Sequence, residues 1–142
     1  MLQLALTLDE ERHAHGQPIA GKLTLQNAGD EVLLANCRLT VNKPFAPAPF
    51  REVYFVLKDP SGKPVDFMLK INIGEPRSED FKELAPGESA EKPFHLDMYY
   101  SLEQPGEYSL QAVYESHAEP GDGRKAWTGK VASYPLSFVL ES

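Results

Sequence analysis

The residues of this chain best suited to chemistry are its histidines and its clustered carboxylates. In His13-Ala14-His15 two imidazoles fall on one side of an extended segment, a spacing that can hold a metal ion. Such a site needs a third and fourth ligand. No cysteine or aspartate cluster supplies them by spacing, and Glu10 and Glu11 are weak support. A solvated loop over residues 13–16 is therefore expected in place of a metal centre. His95 and His117 stand alone and read as surface residues. The acidic runs at 9–11 and 79–80 lack the glycine-centred ligand spacing of a calcium loop. No serine occupies a G-x-S-x-G turn, and neither an H-E-x-x-H helix nor a phosphate-binding glycine loop occurs. The expectation is a protein that is not an enzyme and uses no cofactor.

Composition points the same way. The 142 residues suit one domain over 1–142, and a chain of this size buries roughly 68–70% of its unfolded surface. Fourteen basic against 21 acidic residues leave a net charge of −7. Such a surface repels phosphate, which disfavours nucleic acid and anionic membranes as partners. Cys37 is the only cysteine, so no internal disulfide can form. No apolar run approaches ~18 residues, and no basic segment followed by an apolar one opens the sequence. The native protein is expected to be cytoplasmic, or periplasmic or envelope-associated if a leader has been removed; the sequence does not separate the two.

The elements that must position any site alternate with a period of two. Leu2, Leu4, Leu6 and Leu8 alternate with Gln3, Ala5 and Thr7, and Tyr108, Leu110, Ala112 and Tyr114 with Ser109, Gln111 and Val113. Such a pattern turns one face to a core and the other to water, which is strand chemistry. Twelve prolines and ten glycines punctuate the strands with turns. The pattern predicts strands over 2–8, 19–26, 32–41, 52–58, 65–73, 81–84, 89–96 and 107–115, then two short strands within 126–140 split near Tyr134-Pro135. A single helical turn is expected within 97–104. In the third strand Cys37 would face inward as a small buried hydrophobe. Tyr108, just inside a strand after Pro105-Gly106, is placed to bond back to the backbone as in a tyrosine corner. Strands at this spacing indicate an antiparallel sandwich or barrel.

Two loops can carry recognition. Residues 43–50 include Pro44, Phe45, Pro47, Pro49 and Phe50. The prolines lower the entropy lost on binding, and the two rings offer contact area. Either the rings enter a groove on a partner, or they fold back over the end of the sandwich. Residues 117–125 form a glycine-rich hairpin tip.

The strings Leu84-Ala85-Pro86-Gly87-Glu88-Ser89, Leu96-Asp97 with Tyr100 and Leu102, and Pro105-Gly106-Glu107-Tyr108 resemble a pattern in bacterial immunoglobulin-like domains. One such domain is the non-catalytic region preceding the catalytic domain of Lys-specific metalloendopeptidases, whose opening strand and turn residues 23–31 resemble. Bacterial intracellular proteinase inhibitors have a similar pattern. The zinc motif of the metallopeptidases is absent, so no catalytic role carries over. The resemblance implies an all-β, antiparallel immunoglobulin-like β-sandwich of about eight strands with a binding or accessory role.

The expected partner is a protein, bound through the Pro-Phe loop or by strand addition to an open edge, and a homodimer through such an edge is possible. A proteinase inhibitor presenting residues 43–50 is one alternative. A carbohydrate or small-ligand sandwich using exposed Tyr99, Tyr100 or Trp127 is another.

Overall fold

The computed structural model of the protein describes residues 1–47, 50–69 and 74–142. The alternating segments become strands β1 (Leu2–Leu8), β2 (Arg12–Ala14), β3 (Ala20–Asn27), β4 (Leu33–Asn36), β5 (Val53–Lys58), β6 (Phe81–Leu84), β7 (Ser89–His95), β8 (Gly106–Ser116), β9 (Gly129–Ala132) and β10 (Leu136–Glu141). No α-helix forms among the described residues; Leu96–Met98 makes the one helical turn expected in that region, as a 3-10 turn. The ten strands lie in three sheets, ordered β1-β3-β7, β2-β10-β8-β5 and β4-β6, with β9 also on β8. All pairings are antiparallel except that of β2 with β10.

One apolar core joins the sheets. Leu2 and Leu4 of β1, Leu23 and Leu25 of β3, Phe55 of β5, Phe94 of β7, Leu110 of β8 and Phe138 of β10 all belong to it. Close approach is enforced at Gly21, where a Cβ would lie 2.4 Å from the Thr7 carbonyl oxygen and 2.6 Å from Phe94 Cζ. The Tyr108 hydroxyl donates to the Gln104 carbonyl at 2.6 Å, the bond its position after the turn predicts. β9 and β10 form one edge along β8, split by Ser133, Tyr134 and Pro135 opposite Gln111 and Ala112. Three residues against two make a bulge. There Ser133 Oγ accepts the Ala112 N–H at 2.9 Å.

Four expectations are corrected. The third strand stops at Asn36 and does not run to Val41. Asn36 Oδ1 accepts the Arg38 N–H at 3.1 Å, and Leu39 adopts a φ of 55°, which turns the chain out of the extended region. Val41 keeps a single parallel bridge to Val53. Cys37 is accordingly half-buried; burial still pushes its thiol above the ordinary 9.0, and the Lys82 charge offsets this only in part. Residues 65–69 form no strand: Pro64 bridges Lys58 and Val65 N–H reaches Leu57 O at 2.9 Å, but Met68 N–H turns to Tyr99 O. Positions 70–73 of that expected strand lie outside the described residues. His13 is no solvated loop residue. It is buried in β2, edge-on to Phe138 at 5.9 Å, and donates from Nε2 to Glu10 O at 2.9 Å.

Asn27, fully buried at the end of β3, ties three segments together. Its Nδ2 donates to Glu31 O at 2.7 Å and Leu84 O at 2.8 Å, while Oδ1 accepts the Gly29 N–H at 3.0 Å. Asn27→Ala strands two carbonyls and an amide, so it is expected to lower unfolding free energy by about 2–4 kcal/mol in a urea titration. An effect below about 0.5 kcal/mol would contradict this role.

Candidate binding site at the Pro-Phe loop

The loop leaves the fold at Asn42, whose N–H donates to Val53 O at 2.9 Å and whose Oδ1 accepts the Lys43 N–H at 2.8 Å. Lys43 O then accepts the Ala46 N–H at 3.2 Å, closing a four-residue turn with Pro44 and Phe45 at its corners. Proline at the first corner presets the φ such a turn needs. Ala46 is buried under the turn, and Pro47 is exposed. Phe50 N–H returns to Pro47 O at 2.8 Å. Phe45 projects into solvent with 84% of its surface exposed, whereas Phe50 is half-buried. The two rings that the sequence treats alike thus have different environments. Pro49 lies outside the described residues.

Charged groups brace the base of the loop. Arg51 Nε donates to Ala46 O at 2.7 Å, and its guanidinium also reaches Glu115 Oε2 at 2.8 Å. His117 Nε2 lies 2.6 Å from the same carboxylate oxygen. Burial alone would raise the Glu115 carboxyl; the hydrogen bonds from His117 and Arg51, with the Arg51 charge, hold it below its ordinary 4.5. Beside it Glu52, 1% exposed, takes two Nε contacts from Arg38 at 2.8 and 3.1 Å and the Thr40 N–H at 2.9 Å.

An apolar cavity of about 470 Å³ opens next to the turn. Phe55 and Leu57 of β5 line it together with Phe45, Val65, Phe67 and Tyr100. Aromatic contacts run from the core to this wall: Phe94 to Phe55 at 5.0 Å, Phe55 to Tyr100 at 6.5 Å, and Tyr100 to Phe67 at 5.7 Å. Packing of this kind fixes the wall in place, since core side chains sit at crystal-like density. Lys43, Lys58 and Asp66 also line the cavity, two cations and one anion on a chain of net charge −7.

The backbone of β5 on the cavity side is largely covered, and Phe55 is only 2% exposed. Residues of an antiparallel strand point their amide groups alternately to either side. Val53 and Leu57 turn theirs away from β8, to Thr40, Asn42 and Val65. Phe55, midway between them, points the same way, and no described residue takes its N–H or C=O.

The other candidates are placed differently. Tyr100 is buried, Tyr99 is half-buried and stacked on Phe67 at 5.8 Å, and Trp127 is half-buried and stacked on Tyr114 at 5.7 Å. None presents an open ring face like that of Tyr134, which is 94% exposed. The tip at 117–125 joins the paired strands β8 and β9, and Arg124 ties it to Ser78 O at 3.1 Å. Among the described residues no three of His, Cys, Asp or Glu converge as metal ligands. The sequence reading missed the cavity because its wall comes from four separated segments. It missed the Arg51–Glu115–His117 cluster because β8 and the loop meet only in three dimensions.

No protein-family model matches this chain, and no curated protein matches it either.

The Glu115 carboxyl is lowered on folding, so its contribution to stability is whole above its ordinary value of 4.5. That contribution is lost as pH falls through the lower folded-state value. In denaturant titrations from pH 7 down to about pH 3, Glu115→Gln should flatten the acid limb of the stability curve. Identical acid limbs for the two proteins would rule out the carboxylate as a contributor.

Proposed function

We propose that this chain is a non-enzymatic protein-interaction module on an immunoglobulin-like sandwich frame, and that it binds an extended peptide segment at the Pro-Phe loop. Two multistranded, mainly antiparallel sheets on one core and the Tyr108–Gln104 bond support the frame. The observation that carries the function is Phe45, held out by a hydrogen-bonded turn beside an apolar cavity. A large apolar ring is costly to leave in water, and a rigid one loses little entropy on contact. The cavity takes one apolar side chain of the partner. Lys43 and Lys58 at its rim favour a carboxylate next to the buried residue.

The tight turn and the burial of Ala46 favour this reading over a proteinase inhibitor, which needs an extended, substrate-like segment here. The burial of Tyr100 and the stacking of Tyr99 and Trp127 likewise give little support to a carbohydrate site.

Selection from a random peptide library tests the proposal. Wild type should enrich sequences with an apolar residue next to Asp or Glu, and Phe45→Ser should weaken the selected peptides at least ~10-fold, about 1.4 kcal/mol. Because Phe45 is exposed, the same variant should keep its stability within about 0.5 kcal/mol. Peptides bound equally by both proteins, or no enrichment at all, would refute the site.

A further inference from the structure

Among the described residues, the outer strands other than β1 each carry a charge, a proline or a covering contact that discourages pairing. The outer edge of β7 includes Pro93, which has no N–H to offer, and that residue lies on the side facing away from β3. β5 is covered at Val53 by residues 40–42 and at Leu57 by Val65. β2 is three residues long and includes Arg12, and β9 is four residues long with Lys130 in it. β6 carries Lys82 and Glu83, and β4, four residues long, is covered at Leu34, whose carbonyl accepts the Trp127 N–H at 2.7 Å.

β1 differs from all of these. Its seven residues, Leu-Gln-Leu-Ala-Leu-Thr-Leu, contain no charge and no proline, and its ladder with β3 runs unbroken from Leu2 to Leu8. The bonds Ala28 N–H to Met1 O and Asp9 N–H to Ala20 O fix the phase of that ladder. Odd-numbered residues therefore bond to β3, and Leu2, Leu4, Leu6 and Leu8 turn their amide groups outward. No described residue takes any of them. A groove of about 510 Å³ runs beside this edge, lined by Leu2 to Leu6, Thr24, Gln26, Val131, Ala132 and Tyr134, without one charged side chain.

We propose that β1 pairs antiparallel with the β1 of a second copy about a two-fold axis at Ala5. The edge is self-complementary in that register. Leu2 faces the partner's Leu8 and Leu4 the partner's Leu6, so all four outward residues fall in hydrogen-bonded pairs and about eight main-chain bonds form. On the outer face Gln3 meets the partner's Thr7, and Ala5 meets the partner's Ala5. Two chains of net charge −7 repel each other, and an uncharged strand is where they can meet without placing like charges in opposition. The result is a continuous six-stranded sheet, β7-β3-β1 followed by the partner's β1-β3-β7. Tyr134, exposed at the groove, becomes covered at its margin.

Sedimentation of the full chain, wild type and variants, tests this. Wild type should be dimeric at about 100 µM and dissociate on dilution. Ala5 is exposed on the outer face, so Ala5→Lys and Ala5→Glu should fold, and each should set like charges opposite each other at the axis. Each alone should dissociate at least ~30-fold more readily, and an equimolar mixture of the two should recover the dimer. Amide exchange at Leu2, Leu4, Leu6 and Leu8 should be slow in wild type and fast in Ala5→Lys. A wild-type monomer at that concentration would overturn the proposal. So would a dimer indifferent to both substitutions, or fast exchange at those four amides in a wild-type dimer.

Discussion

A carboxylate inside the fold sets the geometry of everything around the candidate site. Glu52 stands one residue before β5 with almost no exposed surface, and a charge there is tolerable only if its oxygens are fully engaged. Arg38 and the Thr40 amide engage them. These contacts hold residues 38–40 in the turned backbone that places Leu39, at φ 55°, wholly in the core. Val41 and Asn42 then reach β5, and the Pro-Phe turn starts from a fixed base. The adjoining Arg51–Glu115–His117 cluster fastens the other end of the loop to β8. Phe45 is thus displayed by charge pairs on both sides and by an aromatic wall beneath.

Much of the frame could be read from alternation. Leu2–Leu8, the strand expected over 107–115 and the split near Tyr134-Pro135 all follow from local chemistry: period two, a Pro-Gly pair before a strand, and proline within one. The Tyr108 bond to Gln104 was legible for the same reason, since both residues lie within five positions. The failures share a cause. Leu33, Ala35, Cys37, Leu39 and Val41 alternate perfectly, yet the chain turns at Asn36 because a distant carboxylate captures Arg38 and Thr40. Likewise His13 looked solvated because its partner in the core, Phe138, is 125 positions away. Local pattern specifies which face is apolar; long-range charge pairing decides where that pattern is cut.

The candidate site was legible only in part. Proline and phenylalanine content marked the loop, but neither the cavity beside it nor the unequal exposure of Phe45 and Phe50 follows from spacing. Both depend on how β5, residues 64–67 and Tyr100 converge. The candidate site beside β5 and the outer edge of β1 belong to different sheets, so the proposed pairing through β1 would leave the Pro-Phe loop accessible.

The most direct test of this account is native-state amide exchange on wild type and Glu52→Gln. Removing the charge should release the Thr40, Asn42 and Ala46 amides together, lowering their protection at least ~10-fold, while the β1–β3 ladder keeps its protection. Unchanged protection at those three amides would show that the loop holds its shape without Glu52, and would contradict the account at its base.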